Sequence, residues 1–151
     1  MRSHPDRLVG FARVDPWRRA AATAELERAA GELGLRGLFL HPWEETFRVS
    51  DPLLDPLLDA AARLALPVIV ATGYPWVSEA LQVAELARRH PDVRFVATNG
   101  GQLIVSGLGQ TDAELALDAC PNLALQTAGV YREDFLEGVV ARFGADRLLF
   151  A

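Results

Sequence analysis

The chain has 151 residues, half of them hydrophobic, and a formal net charge of −5. That is one domain with ample apolar mass for a core, and its acidic balance argues against a nucleic-acid surface. All 15 basic residues are arginine, which excludes any chemistry that needs a Schiff-base or P-loop lysine. Cys120 is the only cysteine, so no internal disulfide forms, and the residue reads as small and buried. With no run of about 20 apolar residues and no secretory leader, the sequence reads as a soluble cytoplasmic protein with no membrane partner.

The predicted elements alternate. Leu8 to Val14 reads as a first strand, closed by Asp15-Pro16, where Asp15 can cap and Pro16 suits a first helical turn. Trp17 to Leu33 reads as a helix with Ala20, Ala24, Leu26, Ala30 and Leu33 on one stripe, ended by Gly34. Leu35 to Leu40 is a second strand, followed by His41-Pro42-Trp43. Ser50 or Asp51 caps the next helix, which Pro52 opens and Pro56 bends, with Leu54, Leu57, Leu58, Ala61 and Leu64 at helical spacing. Val68 to Ala71 is a third strand. Ser78 caps a helix from Glu79 to Arg89, and Val93 to Ala97 is a fourth strand. Gln102 to Gln110 reads as loose, punctuated by Gly107 and Gly109. Thr111 and Asp112 open a helix to Cys120. Leu123 to Thr127 is a fifth strand, Glu133 to Phe143 a helix closed by Gly144, and Arg147 to Phe150 a sixth strand.

This is the βαβ pattern of a parallel sheet with right-handed crossovers. Two architectures fit it: a partial (β/α)8 barrel, whose complete form takes about 250 residues, or a complete doubly wound open parallel sheet. In either, chemistry sits at the C-terminal ends of the strands.

The candidate residues follow from that rule. His41 either bonds the backbone of its own loop or serves as a substrate contact or general acid/base. Trp43, Tyr74 and Trp76 follow neighbouring strands, as core covers or as ligand platforms. Thr72 and Gln102 fall in the same group of loops. Asn99 either holds its loop together or orients a substrate carboxylate or carbonyl. Gly100-Gly101 permits close backbone approach, without the Gly-x-Gly-x-x-Gly spacing of a dinucleotide site. Thr127, Tyr131 and Arg132 follow the fifth strand; Arg132 either clamps a carboxylate or pairs with Glu133 or Asp134 at a helix start. His90 reads as a structural residue at a helix C-terminus. Ser106 lacks the glycine two positions earlier that a nucleophile elbow needs.

An ordered set of segments resembles the amidohydrolase-related family, the branch of metal-dependent hydrolases that includes aminocarboxymuconate-semialdehyde decarboxylase and dicarboxylate lactonases. The set is Arg7 to Pro16, Leu35-Arg-Gly-Leu-Phe-Leu-His-Pro42, Asp51-Pro52, Leu66-Pro-Val-Ile-Val70, His90-Pro-Asp-Val-Arg-Phe-Val96, Asn99-Gly-Gly101, Pro121-Asn-Leu123 and Phe143-Gly-Ala-Asp-Arg-Leu-Leu-Phe150. The resemblance implies a (β/α)8 barrel in which the six strands are the third to the eighth, so that the chain is one barrel domain lacking material at both ends. It implies exposed edges and an open interior, and hence self-association. It also implies a divalent metal such as zinc, held by histidines at strand ends. Here the two ligand positions within the chain are Ala71 and Asn99, a methyl group and a carboxamide, so no metal or other cofactor is expected. The function implied is a hydrolase-type domain with a degenerate metal site, acting on a small carboxylated or cyclic substrate. The alternatives are a non-catalytic small-molecule-binding or partner subunit, or an inactive truncated product.

Overall fold

The computed structural model describes residues 4, 6–102 and 107–151; Ser106 lies outside them. Five short parallel strands form one sheet: β1 (Leu38–Leu40), β2 (Val68–Val70), β3 (Phe95–Ala97), β4 (Leu123–Gln126) and β5 (Leu148–Leu149), in the spatial order in which they occur along the chain. Between and before them run α1 (Ala20–Gly31), α2 (Asp55–Arg63), α3 (Ala80–Arg89), α4 (Gly107–Ala119) and α5 (Glu133–Phe143).

Sequential order decides the architecture. A doubly wound sheet reverses its strand order at a switch point; this sheet never does, so right-handed crossovers place every helix on one side, as in a barrel wall. The open doubly wound alternative is therefore set aside in favour of a partial barrel.

The strands bury alternate residues. Leu38, Leu40, Val68, Val70, Phe95, Ala97, Leu123 and Leu125 point toward the helices and are buried. Phe39, Ile69, Val96 and Ala124 stand in register on the other face and are half-buried. The core thus lies between sheet and helices, where Leu26, Leu54, Leu58, Leu86 and Leu117 meet the strands.

Local chemistry sets the element ends. Asp15 accepts a hydrogen bond from the Trp17 amide and opens a 3-10 turn, Pro16–Arg18. Asp51 does the same through Leu53, opening Pro52–Leu54. The expected Trp17 to Leu33 helix is split, because Arg19 takes a left-handed φ of 49° between the turn and α1. The α3 cap is Glu79 and not Ser78: Glu79 and Gln82 form a reciprocal capping box, while the Ser78 side chain is fully buried. The expected first strand contributes one parallel bridge, Ala12 to Leu38, tied by Ala12 N–H to Gly37 O at 2.8 Å and Phe39 N–H to Ala12 O at 2.7 Å. The second strand is confined to Leu38–Leu40. α4 begins at Gly107, four residues before Thr111. Gly109 lies inside it, where a Cβ would meet the flexible end of Gln102 at 2.3 Å from Oε1.

Candidate functional site

Extending the strand register by one residue brings His41, Ala71, Thr98 and Gln126 into a single row on the helix-free face, one step past β1, β2 and β3 and at the end of β4. The row sits at the C-terminal ends of the strands. Thr98, rather than Asn99, shares the row with Ala71; the alternation Phe95, Ala97 outward and Val96, Thr98 inward carried that signal in the sequence. Asn99 stands one residue further on, at a φ of 54°.

The tip of β1 holds a charged chain. Arg13 Nη2 lies 2.5 Å from Glu44 Oε2, and Arg13 Nε 2.5 Å from Glu45 Oε1. The Arg13 hydrogen bond is the main cause holding the Glu44 carboxyl below its ordinary value. His41 Nδ1 accepts from the Glu44 amide at 3.3 Å, and His41 Nε2 stands 3.5 Å from Glu44 Oε1. The imidazole is therefore oriented by one residue through both ring nitrogens. Its ring meets Phe39 edge-on at 5.9 Å and tilts against Tyr74 at 5.7 Å. Tyr74 in turn stacks on Trp43 at 5.4 Å and 11°. Arg13, Glu44 and Glu45 escaped the sequence reading; the available sign was a charged Arg13 between Ala12 and Val14, both buried.

The tips of β2 and β3 are clasped by polar groups. The Thr72 amide donates to Thr98 Oγ1 at 3.1 Å, and the Thr72 hydroxyl donates to the Thr98 carbonyl. Asn99 Nδ2 donates to the Thr72 carbonyl at 3.3 Å. Gly73 bridges Gln102 in parallel. The β3 loop is fitted closely: Gly100 has a φ of 62°, and a Cβ there would lie 2.7 Å from Val130 Cγ2. Glycine is required at that position.

The predicted residues thus fall into three groups. His41, Trp43 and Tyr74 touch one another. Thr72, Asn99 and Gln102 form the clasp. Thr127, Tyr131 and Arg132 stand apart at β4: Thr127 Oγ1 accepts from the Ala151 amide at 3.2 Å, Tyr131 is exposed, and Arg132 pairs with Asp134, with its Nε 3.0 Å from Asp134 Oδ1. Trp76 is 76% exposed. His90 closes α3, with Nε2 3.0 Å from Asp55 Oδ1. Cys120 is buried, and desolvation pushes its thiol pKa up.

One statistic singles out this end of the molecule. Among the described residues, three buried side-chain atoms lack a hydrogen-bond partner: Glu45 Oε2, Ser78 Oγ and Gln102 Oε1. All three lie in loops following β1, β2 and β3. Such atoms are ordinarily met by a protein group, an ordered water or a ligand.

For metal binding, the row supplies one imidazole, one methyl, one hydroxyl and one carboxamide. Among the described residues no group of three or more His, Cys, Asp or Glu could hold a metal ion. No helix there is long and apolar enough to cross a membrane.

Known proteins share this architecture. An uncharacterised TIM-barrel protein from Bordetella bronchiseptica superposes with a TM-score of 0.81 at 23% identity, over 99% of this chain and 55% of its own. The 5-carboxyvanillate decarboxylase of Sphingomonas paucimobilis gives 0.75 at 19%, over 99% and 57%. The 4-oxalomesaconate hydratase of Rhodopseudomonas palustris gives 0.70 at 20%, over 99% and 53%. The chain therefore spans little more than half the length of these relatives. No curated protein sequence matches it. The Amidohydrolase family profile matches residues 1–151, so the chain belongs to the amidohydrolase family.

Proposed function

We propose that this chain forms the greater part of an amidohydrolase barrel that binds a small carboxylated ring compound at its strand tips, without a metal held at positions 71, 98 and 99. The observation that carries this reading is the composition of the tip row. A methyl at Ala71 offers no lone pair. The Thr98 hydroxyl oxygen already accepts from Thr72, and Asn99 donates its Nδ2 to the Thr72 carbonyl, leaving a neutral carboxamide oxygen. Neutral oxygen donors of this kind suit hard cations that bring their own water, not the borderline metals that imidazole holds.

His41 is the imidazole of the row. Glu44 fixes its plane through both ring nitrogens, and Arg13 pairs with Glu44, so the ring is held in one orientation beside a bound substrate. Tyr74 and Trp43 supply an aromatic wall suited to a flat ring. Support for a ring comes from that wall and from the neighbour named as a carboxyvanillate decarboxylase, and support for a carboxylate from that neighbour and the one named as an oxalomesaconate hydratase.

The test is a panel of cyclic carboxylates and lactones, assayed before and after chelation, with metal content measured after loading with zinc. Turnover or saturable binding that survives chelation and is lost in His41→Ala supports the reading. Stoichiometric zinc lost on replacing Thr98 and Asn99 overturns it. The bare donor set also favours a second reading, a binding subunit without catalysis. Saturable binding with no turnover across the panel would distinguish it.

A further inference from the structure

We propose a second ligand site, outside the barrel row, that takes a planar aromatic carboxylate. It is a cavity of about 490 Å³ between the Pro16–Arg18 turn and the loop after β1, lined among others by Trp17, Pro42, Trp43, Phe47, Arg48 and Asp51. Its volume falls within the range of small-molecule pockets, roughly 300–1,000 Å³.

Both indoles are held in place from outside the cavity. Trp17 donates its ring N–H to the Glu45 carbonyl at 2.9 Å, and Trp43 stacks on Tyr74. Each nonetheless remains half exposed, Trp17 at 50% and Trp43 at 58%. Two large rings fixed in place yet open to solvent are preorganised stacking surfaces, whose ordering has been completed before a ligand arrives. With the Trp17 N–H already used, that ring offers its π-face and no donor. The site therefore selects for flatness on the tryptophan side.

Charge decides the rest. Asp51 accepts from the Leu53 amide through Oδ1, at the start of its own 3-10 turn. Arg48 is the lining cation, and no carboxylate stands within ion-pair distance of its guanidinium among the described residues. A permanently charged fork lining the same cavity as two indoles fits a carboxylate carried on a ring. A ring bearing a cation meets the same indoles but is repelled by Arg48. The backbone at Thr46, also in the lining, is held at a left-handed φ of 54°. Such conformations cluster at ligand sites.

The experiment follows tryptophan fluorescence during titration with benzoate, benzyltrimethylammonium and acetate, on the wild type and on Arg48→Gln, Trp17→Leu and His41→Ala. Circular dichroism checks the fold of each variant. The expected result is saturable quenching by benzoate alone, weakened about tenfold in Arg48→Gln and abolished in Trp17→Leu. Loss in His41→Ala with no change in Arg48→Gln would place the ring at the strand tips, overturning the second site while favouring the barrel-row reading. Equal or tighter binding of the ammonium probe, or no saturable response to benzoate, also overturns it.

Discussion

The two faces of the sheet obey different rules. The face toward the helices carries fully buried Leu, Val and Phe, each packed against α1 to α5. The opposite face carries Phe39, Ile69, Val96 and Ala124, aligned in one row and half-buried, with the charged Arg13 6.0 Å from the Phe39 ring centroid. Stability resides in the first face. The second ends in the tip row and has room for chemistry. The contrast teaches that in this wall, the packed face and the open tip row are separated by a single residue of strand register.

The largest effects should come from the packed face. Leu58→Ala, in α2, should cost about 2–5 kcal/mol, as large-to-small changes in cores do. Ile69→Ala on the open face should cost roughly 1 kcal/mol, because its side chain already sees solvent. Urea denaturation of the two variants measures the contrast directly, and equal losses would erase it.

The packed face was also the legible one. Helical spacing around Leu54, Leu57, Leu58 and Ala61 states their burial in the sequence, the β-branched run after Pro67 marks a strand of which Val68 and Val70 are buried, and Asp15 and Asp51 cap where their positions before proline suggest. The candidate site was legible only in part. His41 and Tyr74 follow strands, but the Arg13–Glu44–Glu45 cluster joins residues more than 30 positions apart, a pairing that no local pattern announces. Thr98 was visible only once the register was fixed. α4 started earlier than expected because a glycine in sequence reads as a break, whereas Gly109 lies inside the helix beside the flexible end of Gln102.

Next in size is Arg147, which joins α4 to β4. Its guanidinium donates to the carbonyls of Leu117 at 3.0 Å, Cys120 at 2.6 Å and Leu123 at 2.6 Å. Arg147→Ala should cost about 2–3 kcal/mol. Arg147→Lys should recover little of it, since one ammonium cannot reproduce a planar fork. Thermal unfolding of the pair tests this.

Smaller again is the clasp on the open face. Asn99→Ala loses its bond to the Thr72 carbonyl and puts alanine at a left-handed φ of 54° that asparagine tolerates better, for about 1–2 kcal/mol. Asn99→Gly should be the milder change, because the backbone conformation then carries no penalty. Equal destabilisation of the two would show that the backbone there is not constrained.

The smallest effect is in the acid limb. Arg13 holds Glu44 below its ordinary carboxyl value of 4.5. A depressed folded-state pKa contributes stability that is present above the unfolded value and lost as pH falls through the folded one. Stability should therefore decline as pH drops below about 4.5, the unperturbed value. Arg13→Gln should flatten that part of the curve by slightly lowering the neutral-pH stability, where the contribution is present, and leaving the acid end unchanged.

The seating of Cys120 equips the protein with its own clock. The thiol lies beneath the helices, donating to the Ala84 carbonyl at 3.3 Å, and the chain contains no other sulfhydryl. A disulfide reagent added to the native protein can react only when α3 and α4 part. The pace of its colour change therefore counts those openings one molecule at a time, with no label introduced and no residue altered.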